Sequence, residues 1–85
     1  MKLLYCPNCA DVFNLNFKDK KCSCGQTSGH YLSDGLHAVY VGGIPLGFNN
    51  RVFMDALSTQ PINGAGMDFP AFVISKTCET FKRLI

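Results

Sequence analysis

The placement of five cysteines limits what this chain can fold into. Cys6-Pro7-Asn8-Cys9 and Cys22-Ser23-Cys24-Gly25 form two close couples with twelve residues between them, and Cys78 stands alone. A tetrahedral metal site needs four thiolates converging about 2.3 Å from one ion. A gap of one or two residues lets a single tight turn aim two sulfurs at the same point. Pro7 presets the backbone of the first turn, and Gly25 permits the twist that ends the second. The spacer is long enough for a hairpin that brings the turns together. On this pattern Cys6, Cys9, Cys22 and Cys24 are the expected ligands of one structural Zn²⁺. Two disulfides are the competing use of these residues, but they suit a secreted chain with an even count, and the count here is odd. A redox Cys-x-x-Cys would sit at a strand-to-helix junction, and no helical pattern follows Cys9. An iron–sulfur cluster also takes four thiolates, and spacing alone does not separate it from zinc.

The need for such a staple follows from size. A chain of 85 residues has room for one domain, and a core that small rarely supplies more than about 3–5 kcal/mol. Hydrophobic residues make up 47% and charged residues 16%, which excludes a highly charged disordered segment. No apolar run approaches the roughly 20 residues of a membrane span. The apolar start Leu3-Leu4-Tyr5 stops at Cys6-Pro7, short of the about 7–15 residues of a secretory signal. A soluble, cytoplasmic protein is therefore expected. The formal charge is +2, but a zinc tetrathiolate adds about −2, so the loaded chain is near neutral. The basic excess is not by itself a nucleic-acid signal.

The elements follow from periodicity. Residues 11–17 alternate, with Phe13, Leu15 and Phe17 on one side and Val12, Asn14 and Asn16 on the other, which predicts a half-buried strand. A polar turn at Lys18-Asp19-Lys20-Lys21 leads to the second cysteine couple. Residues 29–33 and 36–41 flank Asp34-Gly35, a hairpin signal that sets Ser33 opposite Leu36, Tyr31 opposite Ala38 and Gly29 opposite Tyr40. Gly42-Gly43 ends that strand. Residues 44–48 are a short extended piece in which Pro45 favours an edge or loop. Asn49-Asn50 caps a helix over 51–58 with Val52, Phe53, Ala56 and Leu57 on one face. Residues 59–68 read as a loop, 69–75 as an apolar strand, and 76–85 as a basic tail closing with one helical turn. The expected fold is a small α+β domain spanning 1–85. A three-stranded antiparallel zinc ribbon occupies 1–41, with a strand–helix–strand extension over 42–85 packed on it.

The two couples resemble the knuckles of the zinc-ribbon superfamily, usually Cys-Pro-x-Cys-Gly followed by a second knuckle. The likeness covers about residues 4–41 and implies a scaffold, not a task. Ala10 stands where the first knuckle usually carries Gly, and Cys22-Ser23-Cys24 is one residue shorter than the commoner second knuckle. The whole chain is also similar to short zinc-ribbon proteins of bacteria and their phages, from which no function is carried over.

Beyond the metal, Gly42, Gly43, Asn49, Asn50 and Arg51 place a Gly-rich turn, a helix N-terminus and a guanidinium in sequence, and Asn63-Gly64 would supply an opposite wall. Such a group suits a nucleotide or another phosphate-bearing metabolite. It lacks the phosphate-loop Gly-Lys-Ser/Thr ending and the dinucleotide glycine fingerprint, and turns need glycine for backbone reasons alone. His30 and His37 fall diagonally on one face of the expected hairpin, within reach of a second metal or of acid–base work, although Leu32, Val39 and Val41 on that face suit ordinary strand histidines. Lys18, Lys20 and Lys21 with Phe13, Phe17 and Tyr31, extended by Lys76, Lys82 and Arg83, would form a basic aromatic surface for nucleic acid. Cys78 is expected as a small apolar residue beside Phe81.

No Ser–His–Asp, paired-Glu or His-Glu-x-x-His arrangement is readable, so an enzyme is the least expected outcome. The leading expectation is a non-catalytic, zinc-stabilised interaction module that binds a protein partner through an apolar patch around Ile44, Leu46 and Phe48. The alternative is a small-ligand binder or sequestering protein. A chain this short would form its pocket at the interface of a homodimer. A nucleic-acid-binding ribbon is third, and no membrane partner is expected.

Overall fold

The computed structural model describes residues 1–84. In chain order the elements are β1 (Lys2–Tyr5), β2 (Val12–Asn14), β3 (Lys20–Lys21), β4 (Ser28–Tyr31), β5 (Ala38–Val41), β6 (Ile44–Phe48), α1 (Asn50–Ser58), β7 (Ala71–Val73) and β8 (Phe81–Arg83). They form two four-stranded sheets, ordered β2-β1-β6-β7 and β3-β4-β5-β8. All neighbours are antiparallel except β5 and β8, which run parallel. This is an α+β architecture with eight strands among the described residues, and the three-stranded ribbon expected from the sequence is not what forms.

Two short runs account for the difference. Residues 2–5 look like the stub of an apolar leader, yet they are an interior strand paired on both sides, with Leu4 fully buried. Four residues are too few to display an alternation that separates a strand from any apolar run. Because β1 takes β2 as its partner, β2 is drawn away from β4 and β5 into the other sheet. The second run is the basic tail, where β8 replaces the expected helical turn. Phe81 is fully buried there, with its ring edge-on to Tyr40 at 5.0 Å between centroids. Residue 85, the end of that reading, lies outside the described residues.

Pro45 also departs from expectation, since it is buried in β6, which has a neighbour on each side. Its carbonyl accepts from Ile74 N at 2.9 Å, one residue past the end of β7. Amide N–H and C=O of one strand residue point to the same side. The hydrogen that proline lacks would therefore face the frayed end of β7, where the ladder loses little.

Other local readings hold. Tyr31 pairs with Ala38 and Gly29 with Tyr40, as the hairpin pattern requires. The connection is longer than a two-residue turn, however. Leu32 N donates to His37 O, Gly35 N donates to Leu32 O, and Gly35 adopts φ +69°. Leu36 N and His37 N both donate to the Asp34 carboxylate. Those backbone donors, the His37 amide foremost, hold that carboxyl down at about 2. The turn's contribution is thus complete above the ordinary carboxylate range and lost as pH falls through about 2. Asn49 caps α1, its side chain accepting from Val52 N at 3.2 Å. Val52, Phe53 and Ala56 are half-buried, but Leu57 on the same face is exposed.

The sheets share one interior. Leu4, Phe13 and Leu15 from the first side meet Ala38, Tyr40 and Phe81 from the second, with Cys6 and Cys22 in the same cluster. A side chain at Gly29 would stand 2.9 Å from Leu4 Cδ1, so Leu4 rests on bare backbone of the opposing sheet. The chain crosses between sheets at Gly42-Gly43, with φ of +67° and +72°. A Cβ at Gly43 would meet Thr27 Cγ2 at 2.6 Å and Tyr5 O at 2.8 Å. Gly43→Ala is accordingly expected to lower stability by about 2–4 kcal/mol through left-handed strain and the clash. Phe81→Ala should cost about 3–5 kcal/mol. Urea unfolding of the metal-loaded chain measures both, and a loss under 1 kcal/mol at either position would contradict this account of the interior.

Candidate metal centre

The knuckles are the tips of two hairpins, one from each sheet. Residues 6–11 join β1 to β2, whose pairing begins at Tyr5 and Val12, and residues 22–27 join β3 to β4, whose pairing begins at Lys21 and Ser28. The loops are equal in length and close the same way. Cys6 N donates to Asp11 O at 2.9 Å, and Cys22 N donates to Thr27 O at 2.9 Å. Within them the cysteines fall at different offsets, and so do the residues that reverse the backbone. Ala10 takes φ +60° in the first loop and Gly25 φ +80° in the second. Ala10 thus adopts the left-handed conformation that glycine would occupy without strain.

All four sulfurs lie within 4.8 Å of one another. Cys24 Sγ is 3.7 Å from Cys6 Sγ and 3.5 Å from Cys22 Sγ. A tetrahedron with metal–sulfur bonds of about 2.3 Å has edges of roughly 3.8 Å, so the donor set fits one ion. Its surroundings favour thiolate at Cys6 and Cys22. Thr27 N donates to Cys22 Sγ at 3.3 Å, and Asn8 Nδ2 donates to Cys24 Sγ at 3.4 Å. Burial pushes the Cys22 thiol up, but the Thr27 backbone and its neighbouring sulfurs outweigh this and bring it down to about 6. The Thr27 side chain leads the interactions that lower Cys6. Burial dominates at Cys9 and raises it to about 11. Metal binding must therefore displace a proton at Cys9, so protons oppose loading as pH falls.

Two residues that carry this geometry were not singled out by their sequence. Thr27 is buried, touches both cysteine couples and fills the space beside Gly43. Asp11 Oδ2 accepts from Ser23 N at 3.0 Å and Ser23 Oγ at 3.2 Å, tying one loop to the other. The one available signal is positional, since each ends its loop five residues after the first cysteine.

The residues proposed for an anionic ligand have separate local roles. Gly42 and Gly43 make the sheet crossing, with Gln26 O 2.7 Å from where a Gly42 Cβ would stand. Asn49 is occupied as the helix cap, and Asn50 Oδ1 accepts from the Met1 ammonium. Arg51 is exposed at the start of α1. Asn63 and Gly64 lie in the exposed loop, where Gly64 lines a hollow with Ala56, Leu57, Gln60, Pro61, Met67 and Phe69. His30 Nδ1 contacts Asp19 Oδ1 at 3.2 Å, and His37 Nδ1 contacts Asp34 Oδ2, so each histidine has its own carboxylate. Of the basic aromatic group, Phe13 is buried while exposed Phe17 leans on Tyr31, with Lys2 Nζ 5.6 Å from the Tyr31 ring centre. Cys78 is half-buried against the core, its sulfur 3.4 Å from Thr80 Oγ1.

Among the described residues no helix is long and apolar enough to cross a membrane. No protein-family model, curated protein or solved structure matches the chain. The metal centre therefore rests on its own geometry. Stripping the metal with a chelator is expected to unfold most of the chain, because structural zinc is worth about 10–16 kcal/mol in small domains of this kind. Cys9→Ser should do the same and Cys78→Ser should be mild, with circular dichroism and thermal melting as the readout. A destructive Cys78→Ser beside a harmless Cys9→Ser would refute the ligand set.

Proposed function

We propose that the chain is a zinc-stabilised, non-catalytic interaction module that presents a sheet face to a protein partner. The observation that carries this reading is the four-sulfur centre at the tips of two hairpins from different sheets. Thiolate donors favour zinc or iron–sulfur chemistry over hard cations. A four-cysteine shell supports a closed structural ion, since catalytic zinc keeps one position for water or substrate. The centre also sits where it would clamp the sheets together, which is a scaffold's task.

The surface supports the partner. Strand alternation turns Leu4, Phe13 and Pro45 inward, so Leu3, Val12, Ile44, Leu46 and Phe48 share the outer face of the first sheet. Val12 and Ile44 are exposed, and a hollow of about 280 Å³ there is lined by Leu3, Val12, Leu46, Phe48, Ala71, Phe72 and Val73. None of these residues is charged. An apolar partner segment fits that lining, and the face agrees with the patch expected around Ile44, Leu46 and Phe48.

Elemental analysis of protein from its own host should give one zinc per chain. A partner recovered by cross-linking should bind Leu46→Asp at least about tenfold more weakly, a loss of about 1.4 kcal/mol, while the variant keeps its metal and melting temperature. Absence of stoichiometric metal would remove the scaffold reading. A partner indifferent to Leu46→Asp would remove the proposed face.

A further inference from the structure

The four sheet edges are not equally protected. Strands β3 and β8 carry Lys20-Lys21 and Lys82-Arg83. Strand β2 lies between Asp11 and the Lys20 ammonium, which donates to Asn14 Oδ1 at 2.7 Å. Charges on an edge deter another strand from pairing with it. Strand β7 has no such protection. Residues 69–75 read Phe-Pro-Ala-Phe-Val-Ile-Ser without a charge, and Phe72 and Val73 are 51% and 69% exposed. From residue 56 to residue 75 the sole charged side chain is Asp68.

The backbone of this edge is also aligned for pairing. Pro70 O accepts from Asn49 N and Ile74 N donates to Pro45 O, so residues 70, 72 and 74 direct their polar groups toward β6. By alternation, Ala71 and Val73 direct theirs outward from the edge. Pro70 falls on the inward set, where its missing hydrogen does not interrupt the outer row.

We propose that β7 pairs antiparallel with β7 of a second copy of this chain, about a twofold axis near Phe72. In that register Ala71 and Val73 of one chain exchange hydrogen bonds with Val73 and Ala71 of the other, and the two Phe72 residues stand opposite each other. Three features select a second copy over a foreign strand. Antiparallel pairing of one strand with itself is isologous, so a single edge satisfies both partners. The edge carries no charge with which to recognise an acidic or basic segment. The other three edges bear the charges that discourage alternative self-pairings. The dimer joins two four-stranded sheets into one of eight strands, with the apolar outer faces side by side. This goes beyond the metal scaffold and does not depend on the identity of any other partner.

Sedimentation equilibrium of the metal-loaded full chain tests it. At about 100 µM, where even a micromolar Kd populates the dimer, the mass should be twice that of one chain. Ala71→Pro removes an outward N–H without touching the bonds to β6, and Val73→Lys adds the missing edge charge. Each should raise the dimer Kd at least about tenfold while metal content and circular dichroism stay unchanged. Leu46→Asp, on a strand paired along both sides, should leave the dimer intact. In a Cys78→Ser background, Phe72→Cys should cross-link two chains on mild oxidation. A monomer at that concentration would overturn the proposal, as would a dimer that survives both edge variants. A dimer lost only in Leu46→Asp would place the contact on the sheet face and likewise overturn it, while leaving the metal scaffold standing.

Discussion

The architecture depends on two hairpin tips meeting at one four-sulfur centre. Each sheet contributes one cysteine couple, so an ion bound there closes a loop that includes both sheets. The alternative ties are few. The buried hydrophobic cluster has eight members among the described residues, and the chain crosses between sheets through short segments at residues 15–19, 42–43 and 74–80. Without the ion, four thiols gathered within 4.8 Å of one another would face mutual repulsion as they ionise. With it, the same proximity would cross-link the two hairpins.

The surroundings of the centre show how backbone polarity serves the metal. Both loops spend their closing hydrogen bond on the first cysteine's own N–H, which leaves further amides free to face sulfur. Thr27 does this most directly, since its amide reaches Cys22 while its side chain reaches Cys6 and its methyl group fills the space beside Gly43. One buried residue therefore couples the four-sulfur centre to one of the points where the chain changes sheets. Rearranging either loop would disturb both sheets.

Away from the metal the molecule is unevenly finished. The second sheet buries Tyr40 and Phe81 and carries lysines and Arg83 on its edges. The first sheet turns Leu4, Phe13 and Pro45 inward and Leu3, Val12, Ile44, Leu46 and Phe48 outward, and its β7 edge is apolar as well. Phe48, Phe53 and Phe69 gather in a cluster with ring centres 5.0–5.3 Å apart, and α1 covers only part of it. An outer face and an edge of this kind gain free energy when another surface removes them from water.

The amino-acid sequence by itself determined the two cysteine couples, the β4–β5 register and the cap of α1. All three rest on contacts between residues close along the chain, where spacing translates directly into geometry. Cys6 to Cys9 and Cys22 to Cys24 each span one turn, Tyr31 and Ala38 flank one hairpin, and Asn49 reaches Val52 within a single helical turn. Only the tertiary structure decided that β1 is an interior strand, that β2 belongs with β1 rather than β4, and that the tail returns as β8. Those outcomes depend on which distant apolar groups share an interior. Leu4 and Phe81 carry no local mark of burial, and each becomes a core residue because the other sheet supplies a surface that excludes water around it.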